Sequence, residues 1–251
     1  MENVADLILK QEDIVKKAEL VYYLQKKTGI FFDKSVILKA EIAKLFIEKA
    51  EIKDVNKNMV LTASLLYACK KINGAQTMQK IHEYAKESVI FLEQLGFNEK
   101  FCNICQMHNR YLNIEPRNME GDILELSEQL GGMILDRIDR QGYQIPEAIQ
   151  IIKKNLKEKK NSCLDLFENF VLSTENLSRE NETRPLNEKD KGLIGSSEYG
   201  LRRINKFDNN DIRGTLLYIQ EWEIRNGLRK EEVPEEITKM DEMIEKLKKE
   251  K

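Results

Sequence analysis

The stretch VLTASLLYACKK, residues 60 to 71, constrains the fold of this chain more than any other. Its first part, Val60 to Leu66, presents a face of apolar and small side chains, and a tyrosine, a cysteine and two lysines follow. This pattern indicates the centre of a buried helix. We therefore expect the rest of the chain to be organised around this helix.

The composition indicates an all-α protein. The 251 residues include only four prolines and twelve glycines, and no segment alternates with period two for long enough to predict a sheet. Apolar residues at helical spacing predict helices over 3–28, 35–50, 60–71, 76–95, 98–112, 122–140, 145–156, 163–173, 209–227 and 234–251. We expect Gly29 to end the first helix, Asn73-Gly74 to end the central one, Asn98 to begin the helix over 98–112, Gly131-Gly132 to interrupt the helix over 122–140, and Pro146 to lie in the first turn of the helix over 145–156. The polar segment 173–192 is almost free of apolar residues, so we expect a loop there.

Charge and cysteine content restrict the partners and the compartment. The net charge is −2, so no overall field attracts nucleic acid or an anionic membrane. The apolar runs are far shorter than the roughly 18 residues that cross a bilayer, and MENVADLILKQED lacks the pattern of a secretory signal. Four irregularly spaced cysteines do not form a disulfide framework in a chain this long. We expect a cytoplasmic, reduced protein.

The central stretch resembles the A-A-L-L-H-D-I-G-K signature of the HD superfamily of metal-dependent phosphohydrolases. On that pattern the two leucines match, Lys71 takes the place of the family's lysine, Tyr67 stands at the histidine and Ala68 at the aspartate. The resemblance extends over roughly residues 30 to 152. It implies an HD-like helical domain over 1–158 and a helical extension over 159–251, with the polar loop within the extension.

Three further segments carry the resemblance by their order and spacing. IHEYAKESVIFLEQLGF is similar to a helix of the HD-GYP branch and places Tyr84 at a histidine. QMHNRY is similar to H-H-E-R, with His108 at the second histidine and Arg110 at the arginine. In ELSEQLGGMILDRIDRQGY, Glu128 takes the place of a metal-binding aspartate, and Asp136 and Arg137 match the family.

The resemblance implies a cleft whose metal-binding chemistry is lost. The family holds one or two divalent metals with imidazole and carboxylate ligands, which lower the pKa of bound water. Ala68 has no donor atom, and the phenol of Tyr67 must lose a proton near pH 10 to become a good ligand. No histidine precedes His82, so the family's first ligand is absent. We predict that a vestigial ligand-binding cleft remains, formed by these residues: Tyr67, Lys71, Tyr84, His108, Arg110 and Glu128.

Cys102-x-x-Cys105-x-x-His108 is the alternative metal-binding pattern. Positions i, i+3 and i+6 of a helix share a face only loosely, and zinc would need a fourth ligand such as Cys69 or His82. Buried cysteines in a helix are the simpler interpretation.

The sequence therefore favours an HD-like pseudo-enzyme with no cofactor. It would act as a regulatory or scaffolding protein that binds a protein partner or a small anionic ligand. The C-terminal helices, with Trp222 and a stripe of Met and Ile, offer a partner surface or pack back onto the domain, and homodimerisation stays open. A divergent metal-dependent phosphohydrolase acting on nucleotides or cyclic dinucleotides is the alternative function, and a structural zinc is the alternative cofactor.

Overall fold

The computed structural model describes residues 2–30, 34–71, 78–134, 143–156, 160–179 and 235–249. These residues form α-helices and one 3-10 turn and contain no strand, which confirms the all-α prediction. None of the described helices is long and apolar enough to cross a membrane. In chain order the elements are α1 Val4–Leu9, α2 Ile14–Thr28, α3 Lys34–Lys49, α4 Lys57–Leu66, α5 Met78–Gln94, α6 Glu99–Met107, the 3-10 turn Arg110–Leu112, α7 Met119–Ile134, α8 Ile145–Leu156, α9 Leu164–Arg179 and α10 Glu235–Lys249.

Helix α4 lies at the centre of the fold, as its sequence predicts. Every residue from Met59 to Leu66 is buried, and α1, α2, α3, α6 and α7 all pack against the helix. The prediction that this helix continues to Asn73-Gly74 is wrong. The helix ends at Leu66, and the backbone tightens into a turn in which the Cys69 N–H donates to the carbonyl oxygen of Leu66 at 3.0 Å.

Residues 3–28 form two helices instead of the one predicted. Asn3 and Asp6 form a capping box that starts α1, and the Asp13 carboxylate accepts the Lys16 N–H at 2.9 Å to start α2. Two N-caps so close together require a break between them. The prediction that Gly29 ends α2 is confirmed, because Gly29 has a φ of 68° and its N–H donates to Gln25.

Lys17 joins the N-terminal helices to α4 through a buried ammonium. The side chain is fully buried and donates to the Ile8 carbonyl oxygen at 2.8 Å and to the Thr62 hydroxyl at 2.9 Å. Both partners are neutral, and burial lowers the pKa of Lys17 to about 8.

The helix predicted over 98–112 is shorter. Asn98 caps it, as expected, by accepting the Phe101 N–H at 3.0 Å, but α6 ends at Met107 and the 3-10 turn follows. Helix α7, in contrast, runs through Gly131-Gly132 without the predicted interruption. Pro146 lies in the first turn of α8, as predicted.

The C-terminal part of the chain contributes to the core. Helix α9 continues to Arg179, so the predicted loop is wrong for residues 173–179, and residues 180–192 lie outside the described residues. Helix α10 buries Ile237, Met240 and Ile244 and packs against α1 and α2, so this apolar stripe is core and not a partner surface. The helix predicted over 209–227, with Trp222, lies outside the described residues. The division into two domains stays a prediction.

Candidate functional site

All six residues predicted from the resemblance line a single cavity of about 380 Å³. Tyr67 and Lys71 come from the turn after α4, Tyr84 from α5, and Glu128 from α7. His108 and Arg110 come from the end of α6 and the 3-10 turn. The remaining lining residues, which the sequence did not single out, are Asn109, Tyr111, Glu125, Gln129, Asn155 and Leu156.

Helix ends position the two aromatic residues at the base of the cavity. Tyr67 is the C-cap of α4, and its N–H donates to the Ala63 carbonyl oxygen at 2.7 Å. His108 is the C-cap of α6, with its Nδ1 2.7 Å from the Cys105 carbonyl oxygen. That contact requires the proton on Nδ1 and leaves Nε2 as the acceptor of a neutral ring. The two rings lie 4.5 Å apart between centroids.

A buried lysine that the sequence analysis missed lies behind Tyr67 and Glu128. Lys39 projects from α3 and is 5% exposed. Its Nζ donates to the Tyr67 hydroxyl at 2.6 Å and lies 3.5 Å from Glu128 Oε1. The Tyr67 hydroxyl in turn lies 3.4 Å from the same carboxylate oxygen. Ammonium, phenol and carboxylate therefore form a closed triangle.

This triangle controls the charges at the base of the cavity. Burial alone would raise the pKa of Glu128, but the positive charges of Lys39 and Lys71, together with that of His108 when its ring is protonated, hold it below its usual range. Burial lowers the pKa of His108, Glu128 opposes that change, and Lys39 and Lys71 add to it. At neutral pH the site thus contains an ionised Glu128 beside a neutral His108.

The opposite wall of the cavity is held by an ion-pair network. Arg110 donates through Nε and Nη2 to the two oxygens of Glu125, at 2.7 and 2.6 Å. Glu125 is fully buried and also accepts from Arg117 at 3.1 Å and from Asn161 at 3.0 Å. Asn161 additionally donates to the carbonyl oxygen of Asp122 at 3.0 Å. These hydrogen bonds to the Glu125 carboxylate fix Arg110 at the cavity wall.

The residues present do not fit an HD-type metal centre. Ala68 is buried and offers no donor atom. The Tyr67 oxygen accepts a hydrogen bond from Lys39, and Glu128 already faces that ammonium. One carboxylate matched by one fixed positive charge leaves little attraction for a divalent ion. Among the described residues, no group of three or more His, Cys, Asp and Glu side chains has the geometry to hold a metal.

The cysteine pattern does not form a ligand cluster in the described part of the chain either. Cys102 and Cys105 are buried in the core, and burial raises the pKa of Cys102 to about 11 and that of Cys105 well above its ordinary value. Zinc binds the thiolate, which these environments disfavour. His108 instead uses its Nδ1 on the Cys105 backbone. The zinc alternative stays a prediction from the sequence.

Comparison with known proteins adds no relative: no family model, no curated protein and no solved structure matches this chain.

Proposed function

We propose that this protein is a catalytically inactive regulatory protein that binds a small anionic ligand in the cavity. The observation that carries the proposal is the distribution of charge. Two fixed ion pairs, Lys39 with Glu128 and Arg110 with Glu125, neutralise the walls. Lys71 also lines the cavity, and its positive charge acts on Glu128 as well. An anion that enters meets this ammonium and polar groups that include the Tyr84 hydroxyl.

The size of the cavity and its lining support a small molecule over a protein partner. A volume near 380 Å³ falls within the range of small-ligand pockets. Tyr67, Tyr84 and Tyr111 contribute aromatic rings to the lining, and Asn109 and Gln129 contribute polar groups. Such convergent hydrogen-bonding groups in a concave site fix the orientation of a ligand. Ancestry in the HD superfamily is part of the same proposal.

The test is anion binding in the presence of a chelator. Isothermal titration with inorganic phosphate, pyrophosphate, nucleotides and cyclic dinucleotides should identify at least one ligand for the wild-type protein. Lys71→Gln should weaken the binding of that ligand by about tenfold, because a hydrogen bond to a charged group contributes about 1.5 kcal/mol. Lys86→Gln removes an exposed lysine of α5 and should leave the affinity unchanged.

The metal content and turnover of the purified protein distinguish this proposal from the alternative function, a metal-dependent phosphohydrolase. Protein purified without chelator would contain stoichiometric Mn, Fe or Ni if the cavity were a phosphohydrolase site, and it would hydrolyse nucleotides or cyclic dinucleotides. Metal content with turnover, abolished by Glu128→Gln, would replace our proposal. Anion binding that survives the chelator, without turnover, supports it.

A further inference from the structure

We propose that the ammonium of Lys39 is the fixed cation of the cavity, which holds the Tyr67 hydroxyl and the Glu128 carboxylate in position and keeps divalent metals out. The anion-binding part of this inference rests on the function proposed above. Lys39 touches lining residues and not the cavity itself, so it acts as a positioning residue.

The contacts of Lys39 are those expected of a buried side chain that carries a positive charge. An ammonium buried to this extent is costly unless charged or polar groups compensate it. Here the Tyr67 oxygen lies 2.6 Å from Nζ and Glu128 Oε1 lies 3.5 Å from it. The ammonium thus meets a hydroxyl oxygen and a carboxylate, which are groups that stabilise a buried cation.

Backbone packing fixes the stem of this side chain. A Cβ added to Gly131 of α7 would lie 2.6 Å from Lys39 Cγ and 3.5 Å from Lys39 Cα. The absence of a side chain at Gly131 therefore allows α3 to approach α7 closely at this point. Because the stem is held at its base, the ammonium reaches Tyr67 and Glu128 from a fixed direction.

This arrangement places a positive charge that cannot dissociate beside Glu128, where it offsets the charge of the carboxylate. A divalent ion binding to Glu128 would have to come within a few ångströms of the ammonium, and the repulsion between the two opposes its binding. An anion, in contrast, meets a carboxylate whose negative charge Lys39 already offsets. Binding of an anion should therefore need no metal.

Histidine NMR provides the test, because the chain contains only two histidines. His108 lies in the cavity, and His82 is exposed on α5 and acts as an internal control. Lys39→Met keeps the stem and removes the charge, so the pKa of His108 should rise while that of His82 stays unchanged. Lys39→Arg should restore the wild-type value. Lys49→Met, at an exposed position of α3, is the matched control.

Two wild-type measurements keep the inference testable even if Lys39→Met does not fold. Added Mn²⁺ should broaden the His108 resonances no more than those of His82. Selective broadening of His108 that Glu128→Gln removes would overturn the fixed-cation assignment. An unchanged pKa of His108 in folded Lys39→Met would overturn it as well.

Inorganic phosphate, added with a chelator, separates this inference from the proposed function. Phosphate should shift the His108 resonances of the wild type, and Lys39→Met should weaken that binding by about tenfold. No shift in the wild type argues against phosphate binding in this cavity, while the pKa and Mn²⁺ results still decide the role of Lys39. Equal phosphate affinity in both proteins would show that Lys39 does not position the binding groups.

Discussion

Gly131 and Gly132 are neighbours in α7, yet the structure predicts opposite effects when each is replaced by alanine. A Cβ at position 131 would meet Lys39 Cγ at 2.6 Å and Ile42 Cδ1 at 3.5 Å, whereas one at position 132 meets only Glu128 Oε1, at 3.9 Å. The Lys39 atom is close to its own backbone and not at the flexible end of the side chain. Helix α3 or α7 must therefore shift to admit the new methyl group.

The magnitudes follow from two opposing terms. Replacing glycine by alanine inside a helix stabilises the folded state by about 1 kcal/mol at either position. Overpacking costs about 1 to 3 kcal/mol and applies only at position 131. Gly132→Ala should therefore stabilise the protein by about 1 kcal/mol, and Gly131→Ala should be neutral or destabilise it by about 2 kcal/mol.

Thermal unfolding of the two variants and the wild type measures this difference. For a chain of this size, about 1 kcal/mol corresponds to a change of about 2 to 4 °C in Tm. Gly131→Ala should also move the pKa of His108, because it displaces Lys39, while Gly132→Ala should not. Equal stabilisation by both substitutions, with His108 unaffected in each, would refute the close packing of α3 on α7.

Two further predictions concern buried charges. Because burial lowers the pKa of Lys17 from 10.5 to about 8, the unfolded chain binds more protons between these values, and the free energy of unfolding should gain roughly 3 kcal/mol as pH rises through them. Lys17→Met should remove this gain, as measured by urea unfolding at a series of pH values. Glu125→Gln should destabilise the protein by about 3 kcal/mol, since it leaves Arg110 and Arg117 with Asp122 as their remaining carboxylate. Glu120→Gln, on the same helix, should cost less than about 1 kcal/mol because Lys100, 3.8 Å away, is largely exposed.

The outcomes that contradict these two predictions are distinct. Parallel pH profiles of the wild type and Lys17→Met would mean that the ammonium of Lys17 is hydrated and titrates normally. Equal costs for Glu125→Gln and Glu120→Gln would mean that the network around Arg110 contributes no more than a surface ion pair.

Some helix ends could be predicted from the sequence because they depend on residues that are close together in the chain. Gly29, Asn98 and Pro146 each have the conformation or hydrogen bond that their residue type favours, so a single sequence suffices to place them. The break between α1 and α2 was missed because apolar residues keep helical spacing across it. There the caps at Asn3 and Asp13 outweigh the periodicity.

The role of Lys39 could not be predicted in the same way, since it depends on residues distant in sequence. A lysine on an amphipathic helix usually extends to solvent. Lys39 is buried because α7 offers a glycine for its stem and a carboxylate, 89 positions further along the chain, for its ammonium. The six cavity residues were chosen through a family resemblance, which carries information about distant neighbours that periodicity lacks.

The ammonium of Lys39 shares the positive charge of a metal ion but not the ability of a metal ion to activate water. A divalent metal attracts oxyanions and, through an open coordination position, lowers the pKa of bound water. An ammonium offers the positive charge but has no vacant orbital to coordinate water. With Ala68 lacking a carboxylate, the single negative charge of Glu128 is matched by the single positive charge of Lys39. The ammonium of Lys39 therefore balances the charge of Glu128 as a metal ion would, but it provides no coordination position at which water could be activated.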